Sequence, residues 1–220
     1  MAVANGGSIV TNGLVLALDA ADRNSYVSGS TTWNDVSGNR NSGSLINGPT
    51  FSSASLGGIV FDGVDDYVNS TNPILGASPS TYEMVVKINT RTNSSAENAF
   101  FRAGTESPNR MRLYFMRSNN FAVAYYDNDF AFSYSVQVGV IYDVCFIESG
   151  TGTVSLYVNG SFVQSTSLTA PNTLGTSLYI GRYATLYLNG VVYNAKIYNR
   201  ALSASEVLQN YNAQKSKFGL

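Results

Sequence analysis

The chain has 220 residues, of which 12% are charged, with a net charge of −1, no histidine and a single cysteine. This balance offers no basic surface for nucleic acid or for an anionic membrane, and no stretch approaches the roughly 20 apolar residues of a membrane helix. The same inventory leaves no internal disulfide and no His/Cys metal site, and it argues against a histidine-activated hydrolase. A chain of this length is expected to form one domain.

Short strand-like segments recur along the chain and are separated by Gly, Asn and Ser, which is typical of an antiparallel sandwich. In chain order they are residues 14–18, 58–61, 67–68, 82–88, 112–116, 121–126, 140–148, 154–158, 161–165, 177–181 and 191–198. Asn159-Gly160 predicts a type I′ hairpin turn, because both residues accept positive φ angles. Asp62-Gly63 predicts a second hairpin, and Asn189-Gly190 looks similar.

The C-terminal region changes from strand to helix. Within residues 194–199, small and apolar residues alternate with Lys196, which predicts a strand with one face on the core and Lys196 towards water. The segment from Ser203 to Glu206 matches a capping box, and it predicts a short helix that begins at Ala204.

Both ends of the chain lie outside the sandwich pattern. We expect an N-terminal arm over residues 1–12, a β-sandwich over residues 13–211 and a C-terminal tail over residues 212–220. The start of the chain has no basic segment followed by an apolar core, so synthesis in the cytoplasm without a signal peptide is expected.

Four motifs carry a family resemblance. They are Gly-Ile-Val-Phe-Asp-Gly-Val-Asp-Asp-Tyr-Val at 58–68, Gly-Leu-Val-Leu-Ala-Leu-Asp-Ala-Ala-Asp at 13–22, Thr-Trp-Asn-Asp-Val-Ser-Gly-Asn at 32–39 and Tyr-Asn-Arg-Ala-Leu-Ser at 198–203. With these motifs the chain resembles the laminin-G-like, concanavalin A-like lectin/glucanase domains. The resemblance implies an all-β fold, a jelly-roll sandwich of two antiparallel sheets with a short C-terminal helix. Residues 9–15 and 210–220 resemble the single-domain form found among tailed-phage virion proteins.

The carboxylates argue against catalysis. Related sandwiches that cleave glycans use paired carboxylates on one strand, one as the acid and the other as the nucleophile or base. The five glutamates of this chain are scattered and form no such run: Glu83, Glu97, Glu106, Glu148 and Glu206. A protein that is not an enzyme is therefore expected.

Calcium stays open as a ligand, because several laminin-G-like domains hold it at a loop rim with carboxylate and carbonyl oxygens. The available side chains are Asp19, Asp22, Asp35, Asn39, Asp62, Asp65 and Asp66. Each of them is also an ordinary turn residue that hydrogen-bonds nearby backbone, and no matching motif assigns the family's ligands to them.

One aromatic and polar run is a candidate sugar site, because rings stack on sugar faces while Asp and Asn bind hydroxyl groups. This run consists of Tyr125, Tyr126, Asp127 and Asn128. The alternative interpretation is a hairpin turn at 127–129 whose flanking aromatic residues pack across the sheet. Trp33 is expected to be a core anchor, and Cys145 a buried and inert thiol.

The favoured function is a non-enzymatic structural protein on the surface of a tailed-phage virion, as a capsid decoration, head-fibre or tail-fibre component. Its partners would be other virion proteins and further copies of itself, with a trimer favoured. The alternative is a carbohydrate-binding module or adhesin that recognises a cell-surface polysaccharide. A glycan hydrolase ranks third, and neither nucleic acid nor membrane is expected as a partner.

Overall fold

A computed structural model describes residues 7–54, 57–90, 97–108, 110–126 and 128–220. Its strands are β1 (Leu14–Asp19), β2 (Thr32–Trp33), β3 (Gly43–Ile46), β4 (Thr50–Ser52), β5 (Gly58–Asp62), β6 (Tyr67–Thr71), β7 (Ser80–Ile88), β8 (Asn98–Gly104), β9 (Met111–Arg117), β10 (Asn120–Ala124), β11 (Asp129–Ser135), β12 (Ile141–Glu148), β13 (Thr153–Val158), β14 (Ser161–Ser167), β15 (Ser177–Ile180), β16 (Arg182–Tyr183), β17 (Leu186–Tyr187) and β18 (Asn189–Tyr198). A C-terminal helix, α1, spans Ala204–Phe218.

The strands build two antiparallel eight-stranded sheets. The first sheet has the order β14-β13-β12-β7-β18-β5-β4, and β1 also pairs with β18. The long strand β18 therefore has β7 along one edge and both β5 and β1 along the other. The second sheet has the order β11-β10-β9-β8-β15-β6-β3-β2, while β16 and β17 form a separate hairpin. This arrangement confirms the predicted jelly-roll sandwich.

The main core lies between the two sheets, and strand alternation selects its residues. Alternate residues of β7 enter it and are fully buried: Tyr82, Met84, Val86 and Ile88. Trp33 is also fully buried there, which confirms its role as a core anchor. Cys145 lies on the other face of the first sheet, where burial raises the pKa of its thiol well above the usual range, as expected for an inert thiol.

The turn at Asp62-Gly63 does not form the predicted hairpin. Strand β5 pairs with β4 and β18 in the first sheet, whereas β6 pairs with β3 and β15 in the second. The chain crosses between the sheets here, with Gly63 at a φ of 80°. A hairpin and a crossover both place apolar residues of the flanking strands on the same core, so the local pattern does not separate them.

The two Asn-Gly pairs have different roles. Asn159 and Gly160 have φ angles of 50° and 74° and join β13 to β14, which confirms the predicted type I′ hairpin. Asn189 and Gly190 instead begin β18, so this pair forms no hairpin turn and carries the chain into its last strand. Close packing explains why position 190 is a glycine, because a Cβ at Gly190 would lie 2.3 Å from the backbone oxygen of Lys87.

Helix α1 begins at Ala204, as predicted. The Ser203 hydroxyl accepts the Glu206 N–H at 3.3 Å, and the Glu206 carboxylate accepts the Ser203 N–H at 2.8 Å, which confirms the capping box. The helix continues for 15 residues to Phe218, whose side chain is buried. The expected tail at 212–220 is therefore corrected, because most of it is helix packed on the sheet. No helix in the described part of the chain is long and apolar enough to cross a membrane.

The predicted N-terminal arm is partly packed on the domain. Its first six residues lie outside the described part of the chain. Val10 is buried; its N–H donates to Asn210 Oδ1 at 2.8 Å, and the Tyr198 hydroxyl donates to its carbonyl oxygen at 3.1 Å. The chain just before β1 is thus held between the first sheet and α1.

Lys196 does not face water, which corrects the predicted polarity of β18. Helix α1 covers this face of the first sheet, and Lys196 Nζ donates to Glu83 Oε1 at 2.8 Å and to Asn194 Oδ1 and Gln214 Oε1 at 3.0 Å. Gln214 Nε2 donates to Asp143 Oδ2 at 2.8 Å. Burial, together with the charge of Glu83, raises the pKa of Asp143 to about 7. A buried polar network therefore joins the helix to the sheet.

Candidate ligand-binding groove

The outer face of the second sheet carries an apolar floor. Strand β9 is buried on both faces, so one set of alternate residues enters the core and the other points outward. The outward set packs with small residues of β10 and with two tyrosines: Met111, Leu113, Phe115, Ala122, Ala124, Tyr126 and Tyr183. An apolar cluster on a sheet face opposite the main core needs a cover or a ligand to keep it from water.

The β16–β17 hairpin supplies part of this cover. It packs on β8, and its cross-strand pair of Tyr183 and Leu186 stands beside the floor. Between the hairpin and the β10–β11 turn lies an open groove of ≈ 390 Å³. Its lining residues are Glu97, Met111, Leu113, Phe115, Arg117, Ala124, Tyr126, Asp129, Tyr183 and Leu186.

Three charged side chains line the groove. Arg117 Nε donates to Glu97 Oε1 at 2.9 Å, and its Nη1 donates to Asp129 Oδ2. The guanidinium carbon also lies 4.9 Å from the centre of the Phe115 ring. Partial burial works against the Arg117 charge, but the hydrogen bonds to Asp129 and Glu97 outweigh it and raise the pKa of Arg117. The groove therefore combines aromatic rings with a fixed hydrogen-bonding group at its edge.

The predicted sugar-binding segment reaches this groove at one residue. Tyr126 lines it, half-buried, with a φ of 64° that is strained for a bulky residue. Tyr125 is fully buried in the core, so its proposed stacking on a sugar is corrected: the ring has no exposed face. Asp127 lies outside the described residues. Asn128 is half-buried, and its backbone oxygen accepts the Tyr125 N–H at 3.0 Å, as in the predicted turn.

Most residues of the groove carry no local sequence signal. Phe115 and Arg117 lie on β9, and Tyr183 lies on the β16–β17 hairpin far along the chain. The one available hint was the run Met-Arg-Leu-Tyr-Phe-Met at 111–116, which is apolar at positions that would face both sides of a sheet. A strand of that kind must be covered on both faces.

Tyr125 instead belongs to a buried polar cluster between the sheets. Its hydroxyl contacts Glu148 Oε1, and Glu148 Oε2 accepts hydrogen bonds from Arg112 Nε and, at 3.1 Å, from the Ser80 hydroxyl. Burial raises the pKa of Glu148, while Arg112 acts to lower it. Glu148 and Arg112 are both almost completely inaccessible, so this cluster is part of the interior rather than of a surface site.

Three of the candidate calcium ligands come together. Carboxylate oxygens of Asp62, Asp65 and Asp66 lie within 4.8 Å of one another at the crossover between β5 and β6. Such a group could hold an oxygen-coordinated cation such as calcium. The same carboxylates also organise the turn, since Asp62 Oδ1 accepts the Val64 N–H at 2.8 Å and Asp66 Oδ2 accepts the Asp62 N–H at 3.1 Å.

The other four candidates have structural partners. Asp35 accepts the N–H groups of Ala17, Ser37 and Asn41 at 2.8–2.9 Å, which fixes the loop after β2. Asp19 forms an ion pair with Lys217 of α1 at 2.7 Å. Asp22 accepts the Asn24 N–H at 2.8 Å, and Asn39 Nδ2 donates to the Leu14 oxygen at 3.1 Å. Asp22 and Asp35 thus bond nearby backbone as turn residues do, whereas Asp19 and Asn39 contact residues far along the chain.

Comparison with protein families gives one match. The model of the Concanavalin A-like lectin/glucanases superfamily matches residues 62–208, about two thirds of the chain. No curated protein matches the chain.

Solved structures share the fold at low sequence identity. The binding domain of Paraclostridial Mosquitocidal Protein 1 aligns with a TM-score of 0.69 and 14% identity over 92% of this chain and 52% of its own length. Trypanosoma rangeli sialidase in complex with the inhibitor DANA aligns with a TM-score of 0.70 and 19% identity over 99% of this chain and 35% of its own. Domain 4 of AbnA, an extracellular arabinanase from Geobacillus stearothermophilus in complex with arabinotriose, aligns with a TM-score of 0.69 and 16% identity over 90% of this chain and 98% of its own. The chain thus spans about half the length of the toxin binding domain and a third of the sialidase.

Proposed function

Since the chain belongs to the Concanavalin A-like lectin/glucanases superfamily, we propose that it is a non-enzymatic carbohydrate-binding protein whose ligand site is the groove on the second sheet. The observation that carries the proposal is the composition of the groove. The rings of Tyr126 and Tyr183, which stand over the buried Phe115, line a groove of ≈ 390 Å³ beside the hydrogen-bonded Arg117. Aromatic faces with a few fixed polar groups are what sugar rings and their hydroxyls require. The arabinotriose complex of the arabinanase domain, which shares this fold, supports an oligosaccharide as the ligand.

Binding without hydrolysis is part of the same proposal. Glycoside cleavage requires one carboxylic acid to protonate the leaving oxygen and a second carboxylate on the other side of the bond. The two carboxylates in the groove, Glu97 and Asp129, both accept hydrogen bonds from the same guanidinium of Arg117. The buried acids Glu83 and Glu148 lie beneath α1 and between the sheets, away from this groove. Release of reducing sugar from a polysaccharide that the protein binds would overturn this part.

Groove variants test the binding site. We expect Tyr183→Ala and Tyr126→Asn to weaken binding of an arabinan or other polysaccharide hit about three- to tenfold, the value of one or two aromatic contacts. Asparagine is chosen at 126 because it tolerates the positive φ of that position. The matched control is Phe162→Ala, which removes an exposed ring from the first sheet.

Affinity electrophoresis against a panel of polysaccharides, with thermal melting as the folding check, gives the measurement. Reduced retardation of both groove variants with Phe162→Ala unchanged is the expected result. Equal losses in all three variants, or none in any, would contradict the assignment of the groove.

We also propose that this domain acts on the surface of a tailed-phage virion, as a decoration or fibre protein assembled in the host cytoplasm. The proposal rests on the resemblance of residues 9–15 and 210–220 to virion forms. These segments contact each other through Val10 and Asn210, so the resemblance concerns one packed region. Quantitative mass spectrometry of purified particles tests it: a fixed copy number relative to the capsid protein is expected, and absence from particles would refute it.

A homotrimer is proposed as the assembled state. This proposal rests on the polar, tyrosine-rich composition of the chain, which has 15 tyrosines and few charged residues. Light scattering coupled to size-exclusion chromatography should give three times the 23.6 kDa chain mass. A monomer at high concentration would overturn this proposal without affecting the glycan site.

A further inference from the structure

The β16–β17 hairpin divides the outer face of the second sheet into two sides. Tyr183 and Leu186 form one cross-strand pair and face the groove, whereas Arg182 and Tyr187 form the next pair. Because alternate residues of a strand point to opposite sides, the second pair faces away from the groove. On that side of the hairpin, the Arg182–Tyr187 pair meets tyrosines of β6 and β15.

Arg182 is held on three aromatic rings. Its guanidinium carbon lies 4.7 Å from the centre of Tyr67, 5.6 Å from Tyr179 and 5.8 Å from Tyr187. Tyr67 and Tyr179 pack edge to face at 5.6 Å. We call these four residues the Arg182 platform. Stacking on rings fixes the position of a guanidinium while leaving its N–H groups available for an anion.

The charge of Arg182 has no carboxylate partner in the described part of the chain. Its only hydrogen bond there is a long one, 3.5 Å from Nε to the Ala184 oxygen. In the groove, by contrast, Arg117 is paired with two carboxylates. Two acidic residues precede Tyr67 in the chain, Asp65 and Asp66; they belong to the carboxylate group at the β5–β6 crossover, where Asp66 Oδ2 accepts the Asp62 N–H.

A second arginine lies beside the platform, opposite Tyr179 on the neighbouring strand. Arg102 of β8 lies with its guanidinium carbon 5.1 Å from the centre of the Tyr179 ring, and only 7% of its surface is exposed. Its Nε is buried without a hydrogen-bond partner in the described residues. One amino group of Arg102 reaches Glu106 at 3.4 Å, a carboxylate that is itself largely exposed. A buried donor without a partner is costly, and a bound acceptor or water would satisfy it.

The sheet next to the platform offers neutral hydrogen-bonding groups. β3, β6 and β15 lie side by side, and in β6 the outward residues follow Tyr67 at every second position. The open surface there is lined by small polar side chains: Ser42, Ser44, Asn69, Ser70, Thr71, Thr176 and Ser177. Such groups match the hydroxyls of a sugar chain that lies along the sheet.

We propose that the Arg182 platform is a second glycan subsite, selective for the anionic group of an acidic polysaccharide. The carboxylate or sulfate binds the exposed edge of the Arg182 guanidinium, the sugar ring contacts Tyr67 or Tyr179, and the hydroxyls meet the polar strand surface. The inference rests on the proposed glycan-binding function but concerns a different set of residues from the groove. It predicts a preference for charge that the groove alone, with its neutralised Arg117, does not supply.

The sharpest test compares polymers that differ only in charge. Polygalacturonate and its highly methyl-esterified form share one backbone, and dextran sulfate and dextran form a second pair that separates sulfate from carboxylate. Isothermal titration calorimetry is done with the full chain, Arg182→Gln, Arg182→Lys and the control Arg23→Gln. The control also removes one positive charge, but from an exposed loop that lies outside the platform. Thermal melting shows that each variant is folded.

We expect the wild-type protein to bind at least one acidic polymer about tenfold more tightly than its neutral counterpart, as one charge-assisted pair provides. Arg182→Gln should remove this preference, Arg182→Lys should keep part of it, and Arg23→Gln should keep all of it. The preference should also weaken with added salt. Equal binding of acidic and neutral polymers, or equal losses in Arg182→Gln and Arg23→Gln, would overturn the inference while leaving the groove intact. Failure of these four polymers and of every polysaccharide in the panel used for the groove to bind would overturn the proposed function as well.

Discussion

Asp143 should make the stability of this protein fall as the pH rises. Its carboxylate lies between the first sheet and α1, facing Glu83 of β7, Lys196 of β18 and Gln214 of the helix. Cys145 follows on the same strand face, with a thiol whose pKa burial raises. Oδ2 of Asp143 accepts one hydrogen bond from Gln214, and Oδ1 has no partner among the described residues. Burial and the charge of Glu83 raise the pKa of Asp143 from 3.8 to about 7.

The sign and size follow from proton linkage. Below pH 3.8 the folded and unfolded chains both carry this proton, whereas between pH 3.8 and about 7 only the folded chain keeps it. The free energy of unfolding therefore falls through that window, by about 1.36 kcal/mol per pH unit. The total is on the order of 4 kcal/mol. Above about pH 7 the loss is complete.

The variant Asp143→Asn isolates this contribution. Its amide oxygen can still accept the Gln214 hydrogen bond, but the side chain does not titrate. Urea unfolding is followed by the fluorescence of Trp33, which is fully buried and the only tryptophan. We expect the stability of Asp143→Asn relative to wild type to increase by roughly 4 kcal/mol between about pH 4 and pH 8. Any fixed structural cost of the substitution cancels in this difference.

A surface variant without a titratable group, Ser155→Ala, serves as the control for the pH dependence of the assay. Its difference from wild type should be the same at every pH. A change of less than about 1 kcal/mol for Asp143→Asn over the same range would refute the reasoning, since it would mean that water or relaxation keeps this carboxylate ionised in the folded protein.

Three further substitutions test the packing. Ser203→Ala removes the N-cap of α1 and should lower the free energy of unfolding by about 1 kcal/mol in urea, with Ser216→Ala, at an exposed position of the same helix, as the control. Gly58→Ala places a Cβ 2.4 Å from Val191 Cγ1, so we expect a loss of about 1–3 kcal/mol in the same assay; an unchanged midpoint would show that β18 shifts freely. Tyr125→Phe deletes a hydroxyl that contacts Glu148 inside the core and should cost about 1–3 kcal/mol without changing glycan binding, whereas lost binding with normal stability would return Tyr125 to the ligand site.

Local patterns predicted much of the fold. The Asn159-Gly160 hairpin and the Ser203–Glu206 capping box were predicted correctly, because each depends on residues adjacent in the chain. Strand alternation also predicted the antiparallel sandwich. The Asp62-Gly63 turn was not predicted correctly, since a hairpin and a sheet-to-sheet crossover look alike over a few residues.

The candidate site was harder to predict. Of the predicted run, Tyr126 reaches the groove while the adjacent Tyr125 is buried, because neighbouring residues at this strand end point to opposite faces. Which face is core and which is groove depends on where the other sheet lies. Arg182 gave no sequence signal, since its three tyrosine partners come from β6, β15 and β17.

The sequence by itself determined the all-β class, the family, the tight hairpin and the start of the helix, because turn geometry, capping and strand periodicity act over a few neighbouring residues. Only the tertiary structure decided that Lys196 faces α1 instead of water and that Tyr183 stands beside Phe115 and Tyr126. Those outcomes depend on which distant elements cover each sheet face. The burial of a residue, its ion pairs and the shift of its pKa all depend on which elements cover it. They are therefore properties of the folded chain and not of any short segment.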